Sequence, residues 1–350
     1  MRKRLFMVTV FVLCFIGFVF ESPAQEPLSV KALVEKNVQA AGGTDKIASI
    51  KNCTFTLGPE TVYVTADGQM KITTGKAPVI SEITLVNKDK VIKNCFNEVT
   101  ELTGSDKSIT RVLAMLRSGL YTMSKLESLL KSEGIKRFGP VIYYAVSAQA
   151  EGLKVYFYLD STEFTIKRIV FQGQDKKGES YEMSQDFGPY QTMDGITLPT
   201  SWYSAKVGAR GETYTMENVK WNQPLEGAFF TDYAVNVGTV KIAKGELSGQ
   251  IVDVGRMGNY VVIYTNWTPK CIQQAGFAPK DKLMLQISNK ALEVVLEESQ
   301  PSRTAMSTGG MTMFPSASGV NYVILLSQSA GNDISESLAP MQTINIKSKV

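Results

Sequence analysis

From Lys154 to Asp160 the chain reads KVYFYLD, a run in which apolar and aromatic side chains occupy both alternating rows. Successive side chains of a β-strand point to opposite faces, so this run predicts a strand with two apolar faces. One face would present Val155, Phe157 and Leu159, and the other Tyr156 and Tyr158. The run from Thr165 to Phe171 has the same property. Such faces fit a sheet that is covered on both sides as well as a sheet that lines a cavity, and both alternatives stay open.

Similar β-prone runs, separated by turn signals such as Asp67-Gly68, continue in both directions and predict a long antiparallel meander. The predicted strands are residues 53–57, 61–65, 69–73, 80–86, 90–96, 141–147, 154–160, 165–172, 180–186, 201–207 and 212–221. About eleven strands with helices inserted among them predict a wide curved sheet and not a sandwich. The concave face of such a sheet must be covered, and the inserted helices provide the apolar material for it.

Two segments with apolar residues at helical spacing interrupt the strands. The first contains Val30, Leu33, Val34, Val38 and Ala41, and it ends at Gly42-Gly43 before a short helix over residues 44–50. The second contains Ile109, Val112, Leu113, Leu116 and Leu120, and it continues through Leu126, Leu129 and Leu130 to Gly134. A helix that covers a ligand cavity and a helix packed in a core have the same apolar stripe, so both roles stay open.

Near residue 240 a second set of strands begins, at residues 249–254, 260–265, 282–287, 291–297, 321–327 and 341–346. These short runs predict a compact all-β domain. We expect a half-barrel domain over residues 25–240 and a small β-barrel domain over residues 241–350. A loop at residues 299–318, rich in Ser, Gly, Pro and Met, is expected to be mobile.

The first 24 residues have the features of a cleaved signal peptide. Basic residues at positions 2–4 precede an apolar run over residues 5–20, and the small residues Ser22 and Ala24 favour cleavage after Ala24. As a helix the apolar run would reach roughly 24 Å, which is short of the roughly 30 Å hydrocarbon core of a membrane. We therefore expect a periplasmic or secreted protein with peripheral or no membrane contact after cleavage.

Charge and composition argue against a nucleic-acid partner and against most hydrolase chemistry. The mature chain would carry a formal charge of +2, because the signal peptide holds three of the 37 basic residues and one of the 33 acidic ones. It has no basic run interleaved with aromatic residues. Histidine is absent, which removes Ser/His/Asp and Cys/His nucleophiles and His-bound metals. We expect neither catalytic activity nor a metal or other cofactor.

Three cysteines would remain in the mature chain, Cys53, Cys95 and Cys271. Cys53 and Cys95 each end an Ile-Lys-Asn-Cys tetrapeptide in a strand-like stretch. In an oxidising compartment these two could form a disulfide, and two buried free thiols are the alternative.

Turn and strand motifs recur along residues 28–235. They are Ala40-Ala41-Gly42-Gly43 with Lys46 and Ile50-Lys51, Tyr158-Leu159-Asp160 with Thr165 and Lys167-Arg168, Gly195-Ile196-Thr197-Leu198-Pro199, and Leu225 with Phe229-Phe230-Thr231. Together they resemble the LolA and LolB family of outer-membrane lipoprotein-sorting proteins. The resemblance implies an unclosed β-barrel whose concave apolar face, lidded by helices, holds acyl chains or another lipid-like ligand in the periplasm.

In the second domain the run Val254-Gly255-Arg256-Met257-Gly258-Asn259-Tyr260 is followed by Gly331-Asn332-Asp333 near the end of the chain. Over about residues 246–348 these motifs are similar to the C-terminal β-barrel of the S-adenosylmethionine hydroxide adenosyltransferase family. The resemblance implies a contact of Asn259 with the adenine side of an adenosyl ligand. The chain departs from that family at Gly255, where an acid is usual, and at Val262-Ile263, where Thr-Asn is usual. The family's catalytic domain has no counterpart here.

These observations give three hypotheses of different classes. The first is a non-enzymatic periplasmic carrier or sensor of lipid-like or acylated ligands, whose cavity would be lined by Leu116, Leu120, Val155, Phe157, Leu159 and Trp202. The second is a cell-envelope scaffold that binds protein partners, which a packed interior and an exposed apolar patch elsewhere would favour. The third is adenosyl-ligand binding by the second barrel through Asn259.

Overall fold

The computed structural model describes residues 28–76, 78–88, 90–174, 178–225, 228–257, 260–287, 289–299, 311–316, 320–327 and 338–349. The predicted signal peptide, residues 1–24, lies outside these ranges. None of the helices within them has the length and apolar character of a membrane span.

Thirteen strands of the first part form one antiparallel sheet that does not close. The strands of this part are β1 (Asn52–Leu57), β2 (Glu60–Thr65), β3 (Met70–Lys76), β4 (Val79–Val86), β5 (Val91–Cys95), β6 (Glu98–Glu101), β7 (Leu130–Phe138), β8 (Val141–Ala150), β9 (Leu153–Asp160), β10 (Ile166–Gln174), β11 (Ser180–Phe187), β12 (Tyr190–Met193), β13 (Ile196–Pro199), β14 (Ser201–Lys206) and β15 (Glu212–Trp221). Their order in the sheet is β6-β5-β4-β3-β2-β1-β15-β14-β11-β10-β9-β8-β7, and β12 and β13 form a separate hairpin. The predicted unclosed antiparallel sheet is confirmed, with β6 and β7 as its two edges.

Three α-helices and one 3-10 helix accompany this sheet in the described residues. They are α1 (Val30–Ala40), α2 (Thr44–Ala48), α3 (Gly104–Ser118) and the 3-10 helix Ser124–Leu129. One hydrophobic cluster joins α1, α3 and the 3-10 helix to the face of the sheet that carries Phe157. We call this face the concave face. The helices therefore cover it, as the apolar stripes in the sequence predict.

On the opposite face of the sheet, residues 228–236 pack across the strands β2 to β5. Phe230 of this segment joins a small hydrophobic cluster with two residues of β4. The Nζ atom of the buried Lys71 donates hydrogen bonds to the carbonyl oxygens of Phe229 (3.2 Å) and Asp232 (2.7 Å). These bonds compensate the burial of the lysine charge.

The second part of the chain forms a closed barrel. Its strands are β16 (Lys241–Ala243), β17 (Glu246–Met257), β18 (Tyr260–Thr265), β19 (Lys282–Ile287), β20 (Lys290–Leu296), β21 (Thr312–Pro315), β22 (Tyr322–Ser327) and β23 (Thr343–Ser348). Seven of them close the barrel because β17 pairs with both β18 and β23. Its interior is packed with fully buried side chains, among them Ile251, Ile263, Leu285, Ile324 and Ile346. The predicted small all-β barrel is confirmed.

Several local features differ from the sequence expectation, among them the edge strand β6 and the hairpin β12–β13, which the sequence does not predict. The helical spacing predicts a helix up to Gly134, but β7 begins at Leu130, because this residue pairs with Ala148 of β8. The strand β21 lies inside the region expected to be a mobile loop, and residues 300–310 and 317–319 of that region lie outside the described ranges. A short helix, α4 (Pro269–Ala275), begins where the Thr268 side chain accepts a hydrogen bond from the Cys271 amide.

The disulfide alternative for Cys53 and Cys95 is wrong for this fold. Both thiols are free. Cys53 lies on β1 and Cys95 on β5, with three strands between them. Four steps of about 4.8 Å separate the two residues by roughly 19 Å along the sheet, whereas a disulfide needs Cα atoms within about 7 Å.

Candidate ligand-binding site

The six residues predicted to line a cavity all lie in one hydrophobic cluster on the concave face. Their exposed fractions are 1% for Leu116, 5% for Leu120, 0% for Val155, Phe157 and Leu159, and 3% for Trp202. The structure therefore brings them together from α3, the turn after it, β9 and β14. The other row of β9, Tyr156 and Tyr158, is half-buried on the opposite face. In this form the helices fill the concave face, and the six side chains are packed.

Residues 102–129 connect β6 to β7, the two edges of the sheet, and they pack on the concave face between them. We call this segment the lid. It consists of α3, a turn at residues 119–123 and the 3-10 helix. Because the lid begins at one edge and ends at the other, it crosses the opening of the half-barrel. Its buried residues Val112, Ala114 and Leu116 pack in the hydrophobic cluster of the concave face.

The turn of the lid combines backbone strain with aromatic contacts. Leu120 and Tyr121 have left-handed φ angles of 53° and 59°, a conformation that residues with a Cβ atom seldom adopt. Such a residue costs on the order of 1 kcal/mol. The centroid of the Tyr121 ring lies 5.8 Å from that of Phe187 and 6.0 Å from that of Trp202. These contacts offset the strain and hold the turn in the aromatic part of the concave face.

Arg111 of α3 fixes the lid to the turns on both sides of the opening. Its guanidinium lies 3.3 Å from the Glu151 carboxylate in the turn between β8 and β9. It also donates hydrogen bonds to the carbonyl oxygens of Asn87 (3.2 Å) and Lys88 in the turn between β4 and β5. One side chain thus links the lid to both halves of the sheet.

Asn37 of α1 makes a second attachment. Its Oδ1 atom accepts a hydrogen bond from the Met123 amide of the lid turn (2.9 Å), and its Nδ2 atom donates to the Phe164 carbonyl oxygen (2.8 Å). The side chain is buried, with an exposed fraction of 2%. Because both bonds are shielded from water, losing them would leave buried backbone groups without partners.

Arg117, in the last turn of α3, is a buried cation on the concave face with an exposed fraction of 7%. Its Nη1 atom lies 3.4 Å from the Met70 sulfur, and its guanidinium lies 5.8 Å from the centroid of the Phe55 ring. Its Nε atom has no hydrogen-bond partner. None of the ion pairs in the described part of the chain includes it. A thioether sulfur is only a weak acceptor, so the charge lacks a matched anion.

The charge of Arg117 acts on two neighbouring groups. Burial raises the pKa of the Glu60 carboxyl, and the Arg117 charge opposes that shift. Burial also raises the pKa of the Tyr121 hydroxyl, and both the charge of Arg117 and a side-chain hydrogen bond with it oppose this shift. The charges of Glu60 and Arg117 interact, but the two side chains do not form an ion pair. The inner end of the lid therefore holds a positive charge among weak polar partners.

Two open clefts are present, and the second reaches Tyr214, whose ring stacks on that of Trp202. One, of about 1040 Å³, is lined by Pro59, Val79 and Tyr264 among other residues. Another, of about 1010 Å³, is lined by residues that include Arg210 and Tyr214. None of the six predicted cavity residues lines either cleft. A site built from those six residues consequently requires movement of the lid.

The second barrel gives little support to the hypothesis that it binds an adenosyl ligand. Asn259 lies outside the described residues. Val262, which stands where the adenosyltransferase family has Thr, packs with Phe314, Val323 and Leu325 in a cluster of its own. Within the described ranges, no group of three or more His, Cys, Asp or Glu side chains is arranged to hold a metal ion.

The sequence interpretation named six apolar residues that lie in one cluster, and it did not name the polar residues that attach the lid. Arg117 follows Ile109 and Leu113 at intervals of four, so it continues a row of the apolar stripe of α3. An arginine in that row indicates, from the sequence alone, a charge on the buried side of the helix. Arg111 and Asn37 gave no such signal, because their partners lie on distant strands and turns.

Comparison with protein-family models gives no match, and neither does comparison with curated proteins. Among solved structures, a LolA superfamily protein from Nitrosomonas europaea is 9% identical and covers 58% of this chain and 97% of its own, with a TM-score of 0.39. A domain of an outer membrane lipoprotein-sorting protein from Vibrio parahaemolyticus is 13% identical, with 56% of this chain and 97% of its own covered and a TM-score of 0.35.

An uncharacterized conserved protein from Thermotoga maritima is 14% identical, with a TM-score of 0.27 over 33% of this chain. The chain spans 41% of the length of that protein. Nothing in these comparisons supports the resemblance of residues 246–348 to the adenosyltransferase family. The chain is similar at low identity to solved lipoprotein-sorting structures, as its sequence motifs predict.

Proposed function

We propose that this protein is a periplasmic, non-enzymatic carrier or sensor of lipid-like or acylated molecules. The apolar part of the ligand would lie between the lid and the concave face. Its lining would be the six predicted residues Leu116, Leu120, Val155, Phe157, Leu159 and Trp202. The observation that carries the proposal is the course of the lid, which joins the two free edges of an unclosed sheet and covers an apolar face.

The ligand would take the place of lid side chains. Burying an acyl chain contributes about 0.8 kcal/mol for each methylene, so a long chain can replace the contacts that several lid residues make. The left-handed turn at Leu120 and Tyr121 and the unmatched charge of Arg117 both raise the free energy of the closed lid. The binding energy of a ligand is therefore large enough to move the lid to a second position.

Native mass spectrometry of residues 25–350, exported to a bacterial periplasm and purified without detergent, tests the proposal. We expect adducts of a few hundred daltons that extract into organic solvent. Leu120→Ser should reduce their amount, because Leu120 is 5% exposed within the cluster. Leu129→Ser is the matched control, because Leu129 is 40% exposed on the same lid. A bare protein mass for the unmodified chain would contradict the carrier function.

A second candidate, an envelope scaffold for a protein partner, is favoured by an exposed apolar patch on the edge hairpin β7–β8. Phe138 is 48% exposed and Val141 39%, and these two residues pair across the turn of the hairpin. The Phe138 ring lies 5.5 Å from the Tyr158 ring between centroids. Edge strands offer unpaired backbone groups to a partner. A photo-reactive residue at position 138, with position 207 as an exposed control, should then give one discrete crosslinked product in the envelope, and no product would contradict this candidate.

A further inference from the structure

We propose that the ligand of the half-barrel is an anionic amphiphile and that Arg117 binds its carboxylate or phosphate head. The apolar tail would replace lid side chains on the concave face. This inference rests on the proposed carrier function and adds the chemical class of the ligand and the residue that recognises it.

Comparison with Lys71 of β3, the other buried cation among the described residues, shows what is unusual about Arg117 of α3. Lys71 has an exposed fraction of 6% and Arg117 one of 7%. Lys71 donates hydrogen bonds to two carbonyl oxygens on the face opposite the lid. Arg117 has a sulfur atom, an aromatic ring and the neutral Tyr121 hydroxyl as partners, none of them an anion, and its Nε–H group has no hydrogen-bond partner. A protein normally pairs a buried charge, so the missing partner of Arg117 points to a group that the ligand supplies.

The position of Arg117 fits this role. It lies in the last turn of the lid helix, and its contacts with Phe55 of β1 and Met70 of β3 place the guanidinium against the concave face. Among the buried residues described, Lys71 and Arg117 are the basic ones, and Lys71 faces the other way. A guanidinium presents its N–H donors in a fork that matches the two oxygens of a carboxylate or phosphate.

The recognised chemistry is an oxyanion next to an apolar chain. Fatty acids and phospholipids both carry it, as a carboxylate or as a phosphate ester. An uncharged lipid such as a methyl ester or a fatty alcohol offers the same tail without the oxyanion. Comparing the two therefore isolates the contribution of Arg117 from that of the apolar face.

The experiment measures the dissociation constants of cis-parinaric acid and of its methyl ester by fluorescence, with the whole mature chain. We expect the acid to bind about tenfold tighter or more, the worth of a charge-assisted bidentate hydrogen bond. Arg117→Met should abolish this preference and leave binding of the ester. Lys107→Met is the control, because it removes a charge from the same helix at a half-buried position, where Lys107 lies 3.7 Å from Glu101. Competition by a lysophosphatidic acid and by inorganic phosphate separates the possible heads.

The outcomes distinguish the two proposals. Equal affinity for acid and ester in the unmodified chain, or an unchanged preference in Arg117→Met, would overturn the role of Arg117 and leave the carrier function standing. Binding of neither probe would overturn the carrier function and the inference with it. Displacement of the acid by lysophosphatidic acid supports a phosphate head, and displacement by phosphate alone would show a free anion site and overturn the amphiphile. If Arg117→Met does not fold, Arg117→Gln replaces it.

Discussion

Replacing Arg117 by Met should stabilise the ligand-free protein. The substitution keeps a long, unbranched side chain at a position that is 7% exposed and removes a charge without a matched anion. A buried cation that binds a ligand destabilises the folded protein while the ligand is absent. Most substitutions of buried residues destabilise, so the expected direction is opposite to the usual one.

The magnitude follows from the contacts of the guanidinium. Replacing a buried ion pair by apolar residues of similar volume is neutral or stabilises by about 1–4 kcal/mol in measured cases, and a buried cation without an anion has a comparable desolvation cost. Against this stand the contact with the Phe55 ring, worth about 0.5–2 kcal/mol, and the favourable placement of a cation in the last turn of α3, worth about 0.3–1 kcal/mol. We expect a net gain of about 1 kcal/mol in the free energy of unfolding. For a domain of this size that raises the Tm by about 2–4 °C.

Urea unfolding of the ligand-free chain, followed by tryptophan fluorescence, measures the change. Arg117→Met and the unmodified chain are compared with Lys107→Met, which should alter the free energy of unfolding by less than about 0.5 kcal/mol, because its ion pair is exposed. A loss of more than about 1 kcal/mol in Arg117→Met would refute the reasoning. That result would mean that the guanidinium already has adequate partners in the closed form.

Three further predictions concern the attachment of the lid, the thiols and the second barrel. Arg111→Gln should loosen the lid, so that the amides of residues 102–129 exchange with deuterium about three- to tenfold faster while those of the second barrel do not change. Burial raises the pKa of the Cys53 and Cys95 thiols to about 12, so the thiolate forms only at strongly alkaline pH. At pH 8 both should react with a disulfide reagent far more slowly than after unfolding in urea, and equal rates would contradict this. Gly249→Ala should destabilise the second barrel by about 2 kcal/mol or more in thermal unfolding, because the new Cβ would lie 2.2 Å from the Trp267 Nε1 atom.

The regular part of the fold was predictable because it depends on local periodicity. Strands such as β15 (Glu212–Trp221) and β18 (Tyr260–Thr265) match the predicted bounds. The alternation along residues 154–160 correctly assigned Phe157 to the covered face. The prediction is wrong where pairing with another strand determines the secondary structure. Leu130 has helical spacing to its neighbours, but it pairs with Ala148 across a hairpin.

The roles of Arg111 and Asn37 were not predictable, because their partners are distant in the sequence. Arg111 acts through Glu151 and two carbonyl oxygens, and the Asn37 side chain acts through the amide of residue 123, which is 86 residues away. Such contacts depend on how the lid lies over the sheet, and no local pattern records that. The disulfide alternative for Cys53 and Cys95 failed similarly, since strand order decides which residues are neighbours.

The length of α3 has a mechanical consequence. With 15 residues the helix is about 22 Å long, and the lid that contains it is tied at its two ends to β6 and β7. The helix begins next to the edge strand β6, and its last turn reaches Phe55 of β1 and Met70 of β3, so it bridges the half of the sheet from β6 to β1. Deleting one helical turn would shorten this bridge by about 5 Å and draw the turn at residues 119–123 away from Phe187 and Trp202. The length of the helix in this way sets how far the lid turn reaches across the half-barrel.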